Sequence, residues 1–289
     1  NYEKTETQFL SNPNAIGFLF TYPGRATYTA LTPEVSLTYE ISPAVSLYGK
    51  FGQSYRPGGF NVNPTLNPAA NNEFGKETAN SYEIGLRSKL FDNHVTFNAT
   101  AFRIDWKNQQ ISFLNQVGAF TVANVQSRSQ GVEVEASAAI TEALQLNLSG
   151  TYLDATFGHV VFPTRDPVTR AAFFADANGT PLNFAPKWSF GGSATYTHRS
   201  NADQKIVGRV DLAYRSAQSV QPLRPDLAGP AITRLNGRLE YDRGGYSIAL
   251  WVKNALNRFS NYTSQSTALV DVVGLTEPRS LGIELGAKF

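Results

Sequence analysis

From Val35 onward the apolar residues of this chain keep to every second position, and that alternation limits its fold more than any other feature. A period of two sends successive side chains to opposite faces of an extended strand, so each run has one apolar and one polar face. In the last run Leu281, Ile283, Leu285, Ala287 and Phe289 oppose Ser280, Gly282, Glu284, Gly286 and Lys288. Tyr246 to Lys253 repeats the pattern, as do the runs around Leu239, Val210, Phe190, Leu148, Val134, Ile84 and Leu37. One run departs from it. From Val95 the apolar set is odd-numbered, but beyond Ala101 it becomes Phe102, Ile104 and Trp106, and a β-bulge near Ala101 is expected to shift the faces.

The connections alternate as well. Short turns are expected at 42–43, 91–94, 141–142, 199–203 and 243–245, and long loops at 10–24, 57–76, 158–183, 217–230 and 260–276, with a tighter connection at 115–118. Short turns at one end and long loops at the other is the arrangement of an outer-membrane barrel, with the long loops extracellular. Counting alternations gives about twelve strands, an even number as bacterial barrels have. Tyr39, Tyr196, Tyr241, Tyr246 and Phe289 fall beside short turns and would form an aromatic girdle at the periplasmic boundary. A soluble β-sandwich also alternates, but it does not account for the loop asymmetry or the girdle.

Composition agrees with a barrel. Charged residues make up only 17% of the chain, while Ser, Thr, Asn, Gln and Gly supply polarity suited to a wet lumen. No stretch has the eighteen or so apolar residues of a membrane-crossing helix, so a crossing would have to use strands. Cysteine is absent, which excludes disulfides and thiolate metal sites. A net charge of +2 with scattered Lys and Arg does not point to nucleic acid. The opening Asn1-Tyr2-Glu3-Lys4 has no signal peptide and reads as the middle of a longer chain.

Several segments resemble the C-terminal half of the β-barrel of TonB-dependent outer-membrane receptors. They are Val45 to Asn61 (VSLYGKFGQSYRPGGFN), Asn80 to Phe91 (NSYEIGLRSKLF), Ser129 to Glu135 (SQGVEVE), Val252 to Asn257 (VKNALN) and the closing PRSLGIELGAKF from Pro278. The resemblance implies that residues 1–289 are about 12 C-terminal strands of a transmembrane antiparallel barrel of about 22, whose N-terminal plug domain and early strands this chain lacks. It also implies active uptake of a scarce nutrient, above all a ferric siderophore. The expected partners are outer-membrane lipids, the protein's own plug, the TonB complex, a small-molecule substrate and the barrel-assembly machinery, for which Phe289 would be the signal. No resident cofactor is implied. The alternative is a passive twelve-stranded channel. An enzyme is not expected, because His94 and His198 lie at short turns and His159 in a long loop, with no nucleophile pattern beside any of them.

Two sets of residues are candidates for contacts. In the extracellular loops Tyr55, Arg56, Phe60, Phe74, Phe173, Phe174, Arg224 and Tyr262 bring aromatics and cations to where a substrate would arrive; the alternative is an upper girdle or loop packing. In the lumen Glu83, Arg87, Glu133, Glu135, Arg209, Asp211, Arg234, Arg238, Glu240 and Glu284 would face the plug or steer an anionic ligand; the alternative is pairing across neighbouring strands.

Overall fold

A computed structural model describes residues 2–9, 24–61, 73–114, 120–169, 171–201, 203–266 and 271–288. In chain order its strands are β1 (Tyr2–Phe9), β2 (Gly24–Leu31), β3 (Glu34–Ser42), β4 (Val45–Arg56), β5 (Gly59–Phe60), β6 (Glu73–Phe74), β7 (Glu77–Leu90), β8 (Val95–Leu114), β9 (Phe120–Ala139) and β10 (Leu144–Phe157). Then follow β11 (Val161–Arg165), β12 (Ala172–Asp176), β13 (Trp188–Asn201), β14 (Gln204–Arg215), β15 (Ile232–Arg243), β16 (Tyr246–Lys253), β17 (Asn261–Ser266), β18 (Asp271–Leu275) and β19 (Ser280–Ala287).

Eleven of these make one antiparallel sheet in the order β19-β16-β15-β14-β13-β10-β9-β8-β7-β4-β3. Strands follow one another around the sheet as an up-and-down meander, the wall topology of a barrel. Its edges, β3 and β19, are not paired with each other among the described residues. β1 and β2 pair with each other in a separate two-stranded sheet, and β2 leads through Thr32 and Pro33 into β3. The short connections all lie at one end. Between β15 and β16, Gly244 and Gly245 take φ of 57° and 87°, the left-handed pair of a two-residue hairpin turn whose twist matches the flanking strands. The β4–β7, β10–β13, β14–β15 and β16–β19 connections carry the long loops at the other end. The expected connections at 10–23 and 115–118 lie outside the described residues.

Pairing assigns the faces, because directly opposed residues share one. Leu37, Tyr39, Leu47, Ile84, Leu148, Phe190, Leu212, Leu250 and Leu285 all lie on the same side of the sheet. That side is apolar and uncovered: Leu37 is 74% exposed, Leu148 62% and Leu285 77%. Water would not tolerate an apolar surface spread over eleven strands, whereas lipid solvates it at no cost. This is the lipid-facing belt. Tyr39, Tyr196, Tyr241 and Tyr246 mark its lower edge, all exposed on this face as expected; Phe289 lies outside the described residues. Tyr152, Trp188, Phe190 and Tyr214 cluster toward its upper edge, with ring centroids 4.7 to 6.0 Å apart. From Tyr196 up to Trp188, nine residues of tilted strand span roughly 20 Å, close to the ~25 Å apolar band of such walls.

The bulge expected near Ala101 is not there. The β7–β8 register runs unbroken from Leu90↔Val95 to Thr78↔Lys107. The apolar residues Phe102, Ile104 and Trp106 instead turn to the inner face, while Arg103 and Asp105 pair on the outer face at 2.9 Å. The change of pattern marks where β8 leaves the lipid. The irregularity comes higher, between Trp106 and Gln109, where Asn108 adopts φ 54°. Each of β8 and β9 has 20 residues, and at about 3.3 Å per residue they project well beyond the hydrocarbon layer. On the inner side of that projection the β11–β12 hairpin covers a small core of Val125, Phe157, Phe162 and Ala177. Phe162 meets Phe113 and Phe157 edge-on, with centroids 5.4 Å away in both cases.

Candidate functional site

The inner face is polar, and its charges are organised by register. Arg209 and Arg238 stand directly opposite on β14 and β15, a repulsive placement on its own. Each is neutralised by a carboxylate two residues along the same strand face. Arg209 Nε and Nη2 donate to Asp211, at 3.0 and 2.5 Å. Arg238 donates to Glu240 at 2.8 Å through Nη2 and, across β16, to Glu284 at 2.8 Å through Nη1. The small buried Ala249 sits between Glu240 and Glu284 in register and leaves room for the guanidinium. Further along, Lys205 reaches Asp242 at 3.7 Å and Lys50 reaches Glu34 at 3.4 Å. Of the expected lumenal charges, then, Arg209, Asp211, Arg238, Glu240 and Glu284 are held in pairs. Glu133 and Glu135 stand exposed on β9, while Arg234 makes no ion pair among the described residues.

Two aromatic side chains lie flat on this wall, and the sequence reading did not single them out. Tyr48 covers Gly85, where a Cβ would fall 2.4 Å from its ring. Its hydroxyl meets Thr100 Oγ1 at 2.9 Å, and the Arg87 guanidinium lies 4.5 Å from the ring centroid. Trp251 covers Gly282 in the same way, with a Cβ placed 2.5 Å from the indole, and Lys253 Nζ lies 5.5 Å from that ring. The signal was an aromatic on the polar parity of its strand with a glycine opposite on the next one. Glycine leaves a hole in the wall, the ring fills it, and the cation takes the ring face.

The loop candidates separate. Tyr55 pairs with Thr78 on the lipid-facing side, so it belongs to the girdle edge and not to the lumen. Arg56, opposite Glu77, is exposed on the inner face. Phe60 and Phe74 lie on β5 and β6, where the Phe74 ring packs on Gly59 and the Tyr28 hydroxyl donates to Glu73 at 2.9 Å. This loop is stapled to the β8–β9 projection: Asn124 Oδ1 accepts from Gly75 N at 2.6 Å, and Asn61 Oδ1 from Val122 N at 2.7 Å. Phe173 and Phe174 are exposed on β12, 47% and 64%. Arg224 is buried and donates to Asp226 through Nε and Nη2, so it holds its own loop together. Tyr262 lies in β17, and its side chain is outside the described ones, as is Phe289.

On the β11–β12 hairpin, His159 Nδ1 stands 2.8 Å from Asp176 Oδ2. The hydrogen bond from His159, helped by the Asn178 and Val160 backbone N–H groups, holds the Asp176 carboxyl below the usual carboxylate range. Asp166 is lowered in the same direction by the Thr169 and Val168 N–H groups that it caps. Among the described residues no three His, Asp or Glu side chains gather as a metal site. The site therefore has aromatic faces, cations and hydrogen-bond donors with which to bind a ligand.

An antiparallel wall with a lipid-facing belt, a charged inner face and long loops at one end defines an outer-membrane barrel. A family model described as TonB dependent receptor-like, beta-barrel matches residues 1–255, and the chain belongs to that family. Its members are outer-membrane proteins of Gram-negative bacteria. Over 129 residues the chain is 29% identical to the metal-pseudopaline receptor CntO of Pseudomonas aeruginosa, a match that covers 45% of this chain and 17% of that one. Over 197 residues it is 26% identical to the pesticin receptor of Yersinia enterocolitica, covering 67% of this chain and 26% of the receptor. The structure of the ferric yersiniabactin uptake receptor FyuA from Yersinia pestis superposes with a TM-score of 0.77 at 20% identity, covering 93% of this chain and 39% of that one. The siderophore receptor PiuA from Acinetobacter baumannii gives 0.69 at 18% identity, covering 98% and 38%. The chain thus spans about a quarter or less of these curated relatives and about two fifths of the solved chains.

Proposed function

We propose that this chain is the C-terminal part of the barrel domain of a TonB-dependent receptor that takes up a scarce nutrient, most directly a ferric siderophore. The single observation that carries the reading is the wall itself: eleven meandering strands with one face fit for lipid and the other set with charge pairs and cation-capped aromatics, in a chain of this family. The short share of each relative that it spans supports a longer protein, in which an N-terminal plug fills the lumen and early strands complete the wall beyond β3 and β19. Relatives named for siderophores and for a metal chelate support the substrate class.

In this reading the loops and upper lumen collect the ligand, the paired lumenal charges border the plug, and TonB pulls the plug to admit the cargo. The candidate contacts are Arg56, Phe60, Phe74, Phe173 and Phe174 from the loops, with Arg87 and Arg234 on the inner wall. Phe289 would be read by the assembly machinery. Uptake of radioactive iron, supplied as a panel of ferric siderophores, tests the proposal in a strain deleted for the gene. Restored uptake with the gene present, abolished when TonB is also deleted, is the expected result. Uptake that persists without TonB would overturn active transport in favour of a passive pore.

A further inference from the structure

Two glycines on the lipid-facing side of the wall are not required by the wall itself. Gly208 on β14 stands opposite Leu239, and Gly237 on β15 stands opposite Val210, so the two are diagonal neighbours in the apolar belt. Neither takes a positive φ. Neither makes way for a neighbour, as Gly85 and Gly282 do for a ring: a Cβ would come no nearer than 3.9 Å at Gly208 and 3.5 Å at Gly237. Glycine inside a strand weakens it relative to alanine, and where no bulge or bend needs it, it marks the close approach of something else. Together the two leave a recess of about 590 Å³, with Tyr196, Val210, Leu239 and Leu250 among its walls.

Below that recess the same face ends in one charge. Asp242 turns inward to Lys205, at 3.7 Å, which places the next residue, Arg243, on the lipid side between Gln204 and Tyr246. Among the described residues of β14, β15 and β16, Arg243 is the only charged one at a lipid-facing position. It is exposed and makes no ion pair among the described residues. Tyr241 and Tyr246 place it at the periplasmic girdle. Gly237 lies six residues before Arg243 on β15, roughly 20 Å along the strand and, at the usual tilt, about 15 Å in depth. That depth is one leaflet of a hydrocarbon layer about 30 Å thick.

We propose that this face binds one glycerophospholipid of the periplasmic leaflet, with its phosphate on Arg243 and an acyl chain in the Gly208–Gly237 recess. The guanidinium offers the phosphate paired donors, and no acid on that face of the three strands competes for them. The recess lies one leaflet's depth or less from the arginine on the same strands, so head and tail are held at once. A lipid of the outer leaflet would carry its head at the opposite end of the wall, beyond Trp188 and Tyr214. The inference goes beyond the proposed uptake and does not depend on it, because it needs only the wall and its orientation.

Native mass spectrometry of the intact receptor, delipidated in detergent and titrated with dioleoyl phosphatidylglycerol, tests the site. One adduct that saturates before further lipid binds is expected. Arg243→Gln should weaken it about tenfold, the worth of one charge-assisted hydrogen bond, while Arg243→Lys should keep most of the affinity. Gly208→Leu, which fills the recess and leaves the arginine alone, should weaken it as strongly. Ala99→Leu adds bulk to the belt on β8, away from the recess, and should change nothing. Gel mobility before and after heating shows that each variant is folded. Dioleoyl glycerol, which has the chains without the phosphate, should bind about tenfold more weakly than the phospholipid, and inorganic phosphate should not displace the adduct. The proposal is overturned if no saturating adduct forms, if dioleoyl glycerol binds equally well, or if inorganic phosphate displaces the lipid. An adduct unaffected by Arg243→Gln or by Gly208→Leu overturns it too. So would a dimer that Gly208→Leu dissolves, since the recess would then belong to a second copy of the chain.

Discussion

Arg238 Nη1 donates to Glu284 Oε2 at 2.8 Å, although their strands, β15 and β19, do not pair with each other. The bridge passes over β16 above Ala249 and ties the last strand to the wall from the inner side, where backbone hydrogen bonds reach only the next strand. Lumenal charge here is part of how the wall is held in register.

Glu284→Gln should therefore loosen β19 first. Both side chains are partly exposed to a hydrated lumen, so screening limits the effect. The expected outcome is a small fall in melting temperature at low salt that disappears at high salt, with earlier hydrogen exchange in 280–287 than elsewhere in the wall. A salt-independent loss, or uniform exchange, would contradict the bridge.

Gly282→Ala should cost more than its size suggests, because a Cβ there would fall 2.5 Å from the Trp251 ring. The indole must lift from the wall, at about 1–3 kcal/mol for such overpacking. Tryptophan fluorescence should shift toward that of a solvated indole. Gly49→Ala, which meets nothing closer than 3.9 Å, is the matched control and should be silent in both readouts.

Leu148→Arg would put a cation in the middle of the belt on β10, where about 2–4 kcal/mol of destabilisation is expected. Gln145→Arg, on the other parity of the same strand, faces water and should cost far less. Denaturant unfolding in lipid vesicles measures both. Equal losses would mean that the two faces are assigned wrongly.

On the β11–β12 hairpin, the folded Asp176 carboxyl titrates below its unfolded value, with the hydrogen bond from His159 as the largest cause. A depressed acid contributes its stability fully above the unfolded value, about 4, and loses it as pH falls through the lower folded value. Protease cleavage within 158–183 should accordingly rise only in strongly acidic buffer. Asp176→Asn should remove that acid-dependent step and leave the hairpin loosened at all pH values.

Alternation made the wall legible because lipid and water impose the same period of two on every strand, from Leu37 to Leu285. It misled at Phe102, Ile104 and Trp106, where β8 has left the membrane. There the rule inverts, since Arg103 and Asp105 can face outward into water while the apolar residues turn inward. Parity also cannot show what covers a glycine on the next strand, so Tyr48 and Trp251 passed unnoticed. Nor does composition show that Arg224, expected where a substrate would arrive, is spent on Asp226 inside its own loop. That outcome depends on the burial of Arg224, which the fold decides.

The chain has no cysteine, so single cysteines can be placed along β14 at Arg209, Val210, Asp211 and Leu212 in the intact receptor and spin-labelled in lipid vesicles. Accessibility to oxygen, which concentrates in lipid, should be high at 210 and 212, while accessibility to a water-soluble nickel chelate should be high at 209 and 211. Uniform access of the chelate to all four positions would show that the apolar face meets water, and would contradict the membrane wall on which every other conclusion rests.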